Sequence, residues 1–278
     1  PCPPPIKRAL ATAYQPIAFS HFGEKMLKDA GLDPVYVPHG IETSTFKPGD
    51  KREARDKFGW CDYEYIAVMV AANKGMPPRK AFGEVFAAWA EFVKEHPKAL
   101  LYIHSLATEE MRGMNLIEGA ARAGVPEENI RFADPYQLIM TYPQPVIAAL
   151  YQAADVLLSP SYGEGFGVPI VEAQACGCPV IVNNCTSMPE LCFGGWMTDN
   201  QKFYTPQGSY QFIPRIESIL ECLRKSYSAN SSALGRKAVN GAKNYDADLV
   251  AEKYWKPVLD NIEKQIKHTE KKPELVTF

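Results

Sequence analysis

Two hydrophobic rhythms alternate along most of this 278-residue chain. Short continuous apolar runs of strand length are separated by stretches in which apolar residues return every three or four positions, the spacing of one buried helix face. Such alternation predicts βαβ units around a parallel sheet. Residues 17–20 and 34–37 read as strands joined by a helix over 22–30 that Gly31 ends. Pro38-His39-Gly40 breaks the pattern, and residues 42–60 turn polar and charged around Pro48-Gly49-Asp50, the composition of a linker or hinge.

A second series starts at residue 65, with strands predicted over 65–72, 100–104, 130–133, 156–159 and 179–182 and helices over 79–96, 116–122 and 146–154. The helix over 79–96 carries Phe82, Val85, Phe86, Trp89, Phe92 and Val93 on one stripe, which reads as core. The last third is helical over 213–226, 232–244 and 249–268, with Pro257 as a kink and 271–278 as a frayed tail. The fold class is therefore α/β, a doubly wound, Rossmann-like parallel sheet with a helical C-terminal end, in which ligands are expected at the carboxyl ends of the strands.

Composition narrows the function classes. With 46% apolar residues and 11% aromatics the chain can bury a full core, and a net charge of −2 gives no general attraction to nucleic acid or an anionic membrane. Seven cysteines, an odd number scattered through apolar segments, read as free thiols of a reducing compartment. The N-terminal Pro1-Cys2-Pro3-Pro4-Pro5 is no signal peptide and no apolar run approaches the ~18 residues of a membrane span, so the expectation is a soluble, cytoplasmic protein without a transmembrane segment.

The chemistry concentrates in Gly163-Glu164-Gly165-Phe166-Gly167-Val168-Pro169-Ile170-Val171-Glu172-Ala173. Pro169 suits the first turn of a helix, and the glycines before it let backbone N–H groups approach an anion closely. A diphosphate fits that helix N-terminus. Glu164, in the loop, and Glu172, expected in the first turn, place hydroxyl-binding carboxylates on either side of it. Phosphate in the middle and hydroxyls at both ends describe a nucleotide sugar.

The full run from Pro160 to Ile181 closely resembles the donor-site signature of family 4 (group 1) retaining glycosyltransferases of the GT-B fold. The resemblance extends to Tyr36-Val37-Pro38-His39-Gly40-Ile41-Glu42 with Phe46-Lys47-Pro48, similar to the family's crossover between its two domains, and to Arg79-Lys80, similar to its basic pair near the donor diphosphate. In many members an arginine stands directly after the preceding strand, where this chain has Asn73. The resemblance implies that Glu172 holds the ribose hydroxyls and that Gly165, Phe166, Gly167 and Val168 line the phosphates through their backbone. It further implies that Glu164 contacts the donor sugar, and that Lys80 and Arg79, with Asn73 nearby, neutralise the departing diphosphate. No cofactor or metal is expected. The partners implied are a UDP-, GDP- or ADP-linked sugar donor and a glycan or lipid-linked acceptor.

On the same resemblance, residues 1–38 are expected to be the closing β-α-β remnant of an acceptor domain that is largely missing. Residues 39–60 would be a hinge, 61–245 the nucleotide-sugar-binding domain and 246–278 a C-terminal helix and tail. Cys176, Cys178, Cys185 and Cys192 lack the spacing of a zinc site and read as buried thiols. His39 is either a cleft residue or a loop cap, His104 a structural histidine at a strand end, and Tyr136 and Tyr142 lie in the segment 134–143 where the base is expected to dock. The alternatives to a transferase are a non-catalytic nucleotide-sugar-binding fragment or another GT-B enzyme, such as a sugar-nucleotide epimerase or a phosphorylase.

Overall fold

The computed structural model describes residues 2–75, 78–109, 112–229 and 231–269. The chain opens with helix α1 (Pro4–Leu10), strand β1 (Ile17–Ala18), helix α2 (His21–Asp29) and strand β2 (Val35–Tyr36), the two strands pairing in parallel. Ser20 caps α2 by accepting the Gly23 N–H at 3.0 Å.

Helix α3 (Lys51–Phe58) lies within the stretch whose polar composition predicts a hinge. Its sequence, KREARDKF, buries only Ala54, so no apolar stripe announces it. What forms it is local: Asp50 caps the Glu53 N–H, and Gly59 ends it in the left-handed region at φ 69°. Salt bridges then fasten it to the following domain, where Asp155 accepts from Lys51 at 2.9 Å, from Arg55 at 2.6 Å and from the Ile66 N–H at 2.7 Å.

The main domain runs β3 (Tyr65–Val70), α4 (Phe82–Glu95), β4 (Ala99–His104), α5 (Leu116–Arg122), β5 (Ile130–Phe132), α6 (Pro135–Ile139), α7 (Gln144–Ala153), β6 (Val156–Ser159), α8 (Val168–Ala175), β7 (Val180–Asn183) and β8 (Gly195–Thr198). An antiparallel hairpin, β9 (Asn200–Tyr204) and β10 (Tyr210–Pro214), leads to α9 (Ile216–Ser228) and α10 (Ser231–Ala242). Helix α11 (Ala247–Val250), a π-helical turn (Ala251–Trp255) and α12 (Lys256–Thr269) complete the described chain.

Strands β3 to β8 form one parallel sheet in the order β5-β4-β3-β6-β7-β8. The chain builds outward from β3 to β5, then returns to the other side of β3 to lay down β6, so β3 and β6 flank a topological switch point. Side chains of β3 alternate between two cores. Tyr65, Ala67 and Met69 join Phe82, Phe86, Trp89 and Phe92 of α4, while Ile66 and Val68 join Tyr151 of α7 and Ile170 of α8. The predicted stripe is core, as its spacing requires.

Differences from the sequence expectation have local causes. The helix predicted from residue 79 begins at Phe82, because Ala81 takes a left-handed conformation (φ 62°) and leaves Arg79 and Lys80 in the turn before it. Strands β8 to β10 escape the pattern: β8 opens on Gly195, where an added Cβ would meet the Val180 carbonyl oxygen at 2.0 Å, and β9 is largely exposed. Around Pro257 the helix relaxes through the π-helical turn, then resumes as α12. The tail 271–278 lies outside the described residues.

Asp155→Ala would take away the carboxylate partner of the mostly buried Arg55 guanidinium, leaving it the Ala153 and Tyr63 carbonyls, and would leave the Ile66 N–H without its acceptor. It is expected to lower stability by about 3 kcal/mol in urea denaturation; a loss below ~0.5 kcal/mol, the scale of a surface change, would show α3 to be only loosely attached.

Candidate nucleotide-sugar site

The loops leaving β3 and β6 meet at the switch point and are knitted together. The Tyr162 N–H donates to the Arg79 carbonyl at 2.8 Å, the Arg79 guanidinium to the Gly163 carbonyl at 2.8 Å, and the Tyr162 hydroxyl to Glu84 at 2.5 Å. At the centre Glu164 receives both predicted cations, Lys80 at 2.5 Å and Arg79 at 3.1 Å. The Glu164 side chain is only 9% exposed, while Arg79 remains 41% exposed. Burial pushes the Glu164 carboxyl up, but the Lys80 ammonium, the Arg79 guanidinium and the Ser161 hydroxyl together hold it below its ordinary value. Glu164 is therefore charged throughout the neutral range.

Asn73 stands apart from this cluster. Its carboxamide nitrogen donates to the carbonyls of Leu106, Thr108 and Met114, and its oxygen accepts the Met114 N–H at 3.0 Å. Every polar atom of the side chain is thus committed to the loop after β4. Gly113 is required there, since a Cβ would meet the Asn73 oxygen at 2.2 Å.

The glycine loop leads into α8 with its amides facing no internal acceptor: among the described residues, the N–H groups of Gly165, Phe166 and Gly167 donate to nothing. Gly167 precedes the helix at φ 117°, a conformation open to glycine, and Val168 and Pro169 form the first turn. The loop is braced from behind. The Ser187 hydroxyl lies 3.0 Å from the Glu164 carbonyl and 2.7 Å from that of Phe166, Thr186 accepts the Glu164 N–H at 3.0 Å, and the buried Phe166 ring packs edge-on to His39 at 5.2 Å. Free amides at a helix N-terminus, beside two cations, form an anion cradle.

Glu172 is the fifth residue of α8, at the start of the second turn rather than in the first as expected. Its Oε2 accepts the Tyr151 hydroxyl at 3.1 Å, and its Oε1 has no hydrogen-bond partner among the described residues. Burial pushes this carboxyl above its ordinary value, an effect the Tyr151 hydrogen bond only partly offsets. The two glutamates thus sit in opposite environments.

The remaining candidates divide. His39 stacks on Phe19 at 4.2 Å, and burial holds its pKa down. His104 ends β4 against Tyr102 and Tyr142, and burial lowers it to about 4, leaving a neutral ring. Tyr136 is largely exposed, whereas Tyr142 is partly buried against His104. All seven cysteines are free, burial pushing Cys178, Cys185 and Cys192 up to about 12. Among the described residues no group of His, Cys, Asp or Glu is arranged to hold a metal ion, and no helix is long and apolar enough to cross a membrane.

Sequence reasoning missed Tyr151, Tyr162, Thr186, Ser187 and Glu190, whose partners are distant in sequence. The Glu190 carboxylate accepts the N–H groups of His21 at 2.9 Å and Phe22 at 2.6 Å, tying the start of α2 to the main domain. A cleft of about 860 Å³ opens between them, with Gly163, Glu164 and Gly165 on one side and Ile6, Leu10, Phe22 and Met26 on the other.

Comparison with known proteins bears on this arrangement. The family model described as "Glycosyl transferases group 1" matches residues 67–221, which include both cations and both glutamates. The D-inositol 3-phosphate glycosyltransferase of Segniliparus rotundus is 31% identical over 154 residues, 55% of this chain and 32% of the relative. Its namesake in Nocardia farcinica is 32% identical over 149 residues, 52% of this chain and 31% of the relative. The chain spans about a third of the length of these curated relatives. Among solved structures, sucrose-phosphate synthase from Thermosynechococcus elongatus superimposes with a TM-score of 0.72 at 20% identity, over 94% of this chain and 60% of that one. Anabaena Alr3699/HepE, solved with UDP and glucose, does so with a TM-score of 0.71 at 18% identity, over 92% and 65%. At these identities the structural likeness speaks to the fold alone, which is that of the GT-B proteins. With the family model spanning more than half of its residues, the chain belongs to the group 1 glycosyltransferases.

Proposed function

We propose that this chain is the donor-binding half of a retaining glycosyltransferase, which moves a sugar from a nucleoside diphosphate to an acceptor hydroxyl with the anomeric configuration kept. The observation that carries the reading is the junction of Arg79, Lys80 and Glu164 at the switch point, beside amides that have no acceptor among the described residues. The diphosphate lies on the N–H groups of residues 165–168, the ribose on Glu172 and the sugar against Glu164. Of the UDP, GDP and ADP donors, UDP is favoured, because Anabaena Alr3699/HepE was solved with UDP and with UDP-glucose. A glycan or lipid-linked acceptor enters through the cleft beside Gly163 to Gly165, whose apolar wall suits the lipid-linked kind.

In the transfer, the bond from the anomeric carbon to the diphosphate oxygen breaks and a bond to the acceptor oxygen forms on the same face. The acceptor proton passes to the departing diphosphate. Lys80 and Arg79 neutralise the charge growing on that leaving group, a task met here by side chains rather than by a protein-held metal. A cytoplasmic location belongs to the same reading.

Calorimetry tests the reading. UDP and UDP-sugars are expected to bind, with Lys80→Ala weakening UDP by roughly 10- to 100-fold, the ~1.5–3 kcal/mol of a hydrogen bond to a charged group, and leaving uridine unchanged. Equal losses for nucleoside and nucleotide would contradict the phosphate role. Glu164→Gln releases the two cations, so bare UDP should bind at least as tightly as to the wild type, while the added affinity of a UDP-sugar is lost. A parallel loss of both ligands would refute the sugar assignment.

Glu172 supplies a stability test. Its folded-state pKa is raised from the ordinary 4.5, so the native fold holds the protonated form more tightly than the unfolded chain does. Its stabilising share is therefore complete below 4.5 and is lost as pH rises through the raised value. Glu172→Gln keeps the Tyr151 acceptor and removes the charge. It is expected to raise Tm at pH 7.5 while weakening UDP, each kcal/mol gained appearing as roughly 2–4 °C, with the difference from wild type vanishing toward pH 4. A Tm at pH 7.5 below that of the wild type would contradict the account.

A further inference from the structure

We propose that Tyr151 is a positioning residue for donor binding, holding the Glu172 carboxylate in the orientation from which its free oxygen meets the ribose; the proposal rests on the reading of Glu172 above. Tyr151 lies on α7, fully buried, with its ring packed against Phe46 at 6.3 Å between centroids. Its hydroxyl reaches across to α8 and donates to Glu172 Oε2, the one hydrogen bond it makes among the described residues.

Three features give this contact a purpose beyond packing. A buried hydroxyl needs an acceptor, and here that acceptor is a side-chain carboxylate beside the proposed diphosphate cradle rather than a backbone carbonyl of its own helix. Only one of the two carboxylate oxygens is engaged. Oε1 has no partner among the described residues, so the carboxylate is held at one end and open at the other. A glutamate side chain has three rotatable bonds, and fixing the last of them before the ligand arrives removes an ordering cost from binding. The pair also has a fixed polarity. Burial pushes the Tyr151 hydroxyl well above its ordinary value, so it donates throughout the neutral range, and its hydrogen bond opposes the upward push of burial on Glu172.

Tyr151→Phe keeps the ring and removes the donor. It is expected to weaken UDP about three- to tenfold at pH 8 and to shift the acid limb of the affinity profile to higher pH, because Glu172 loses the contact that favours its charged form. The affinity of 2′,3′-dideoxy-UDP, which lacks both ribose hydroxyls, should stay unchanged. Equal weakening of both nucleotides with an unmoved pH profile would mark Tyr151 as structural and overturn the proposal. If wild-type protein binds UDP no better than the dideoxy analogue, the ribose role of Glu172 fails first, so the two failures are distinguishable. A double-mutant cycle with Glu172→Gln gives a second readout: losses smaller than additive support the positioning role, and additive losses contradict it.

Discussion

The arrangement depends on the adjacency of β3 and β6 in a parallel sheet. Two neighbouring strands whose connections run in opposite directions across the sheet leave a crevice at their carboxyl ends, because neither loop covers the other. Into that crevice the chain brings Lys80 and Glu164, 84 residues apart in sequence, to 2.5 Å. The Arg79 to Tyr162 backbone bond and the Tyr162 to Glu84 contact hold the two loops in register, so the charges are positioned by the scaffold rather than by each other.

The site then divides its labour by environment. Glu164 sits between two cations, which outweigh its burial and keep it charged; Glu172 has one tyrosine hydroxyl, which does not. The first carboxylate is paid for locally, whereas the second is a net cost to the fold, the expected signature of a group retained for a ligand. Between them lie amides with no acceptor among the described residues. An anion there would satisfy the amides and both cations together, while hydroxyl groups at its two ends would meet the glutamates.

Much of this was legible in the sequence, for identifiable reasons. The α/β class followed from the continuous apolar run at 65–72, most of which is buried as β3, and from the stripe from Phe82 to Val93. The glycine loop and Pro169 were legible because helix-start geometry restricts residue types within a few positions, whereas the two glutamates stood out through the resemblance of the surrounding run to the family's donor-site signature. Helix α3 was not, since charge pairing and capping, not a hydrophobic face, attach it. Hairpin β9–β10 exposes too much of itself to show alternation. Tyr151, Ser187 and Glu190 act through contacts that only the folded chain creates. Asn73 shows the converse case: its sequence position is directly after β3, a few residues before the basic pair, yet its carboxamide is occupied by the segment after β4.

The most direct measurement is a crystal structure of this chain with UDP. The account predicts the diphosphate on the amides of Gly165 to Val168, the ribose on Glu172 Oε1, and Lys80 turned from Glu164 toward phosphate. UDP seated elsewhere, or at this site with its ribose away from Glu172, would contradict it.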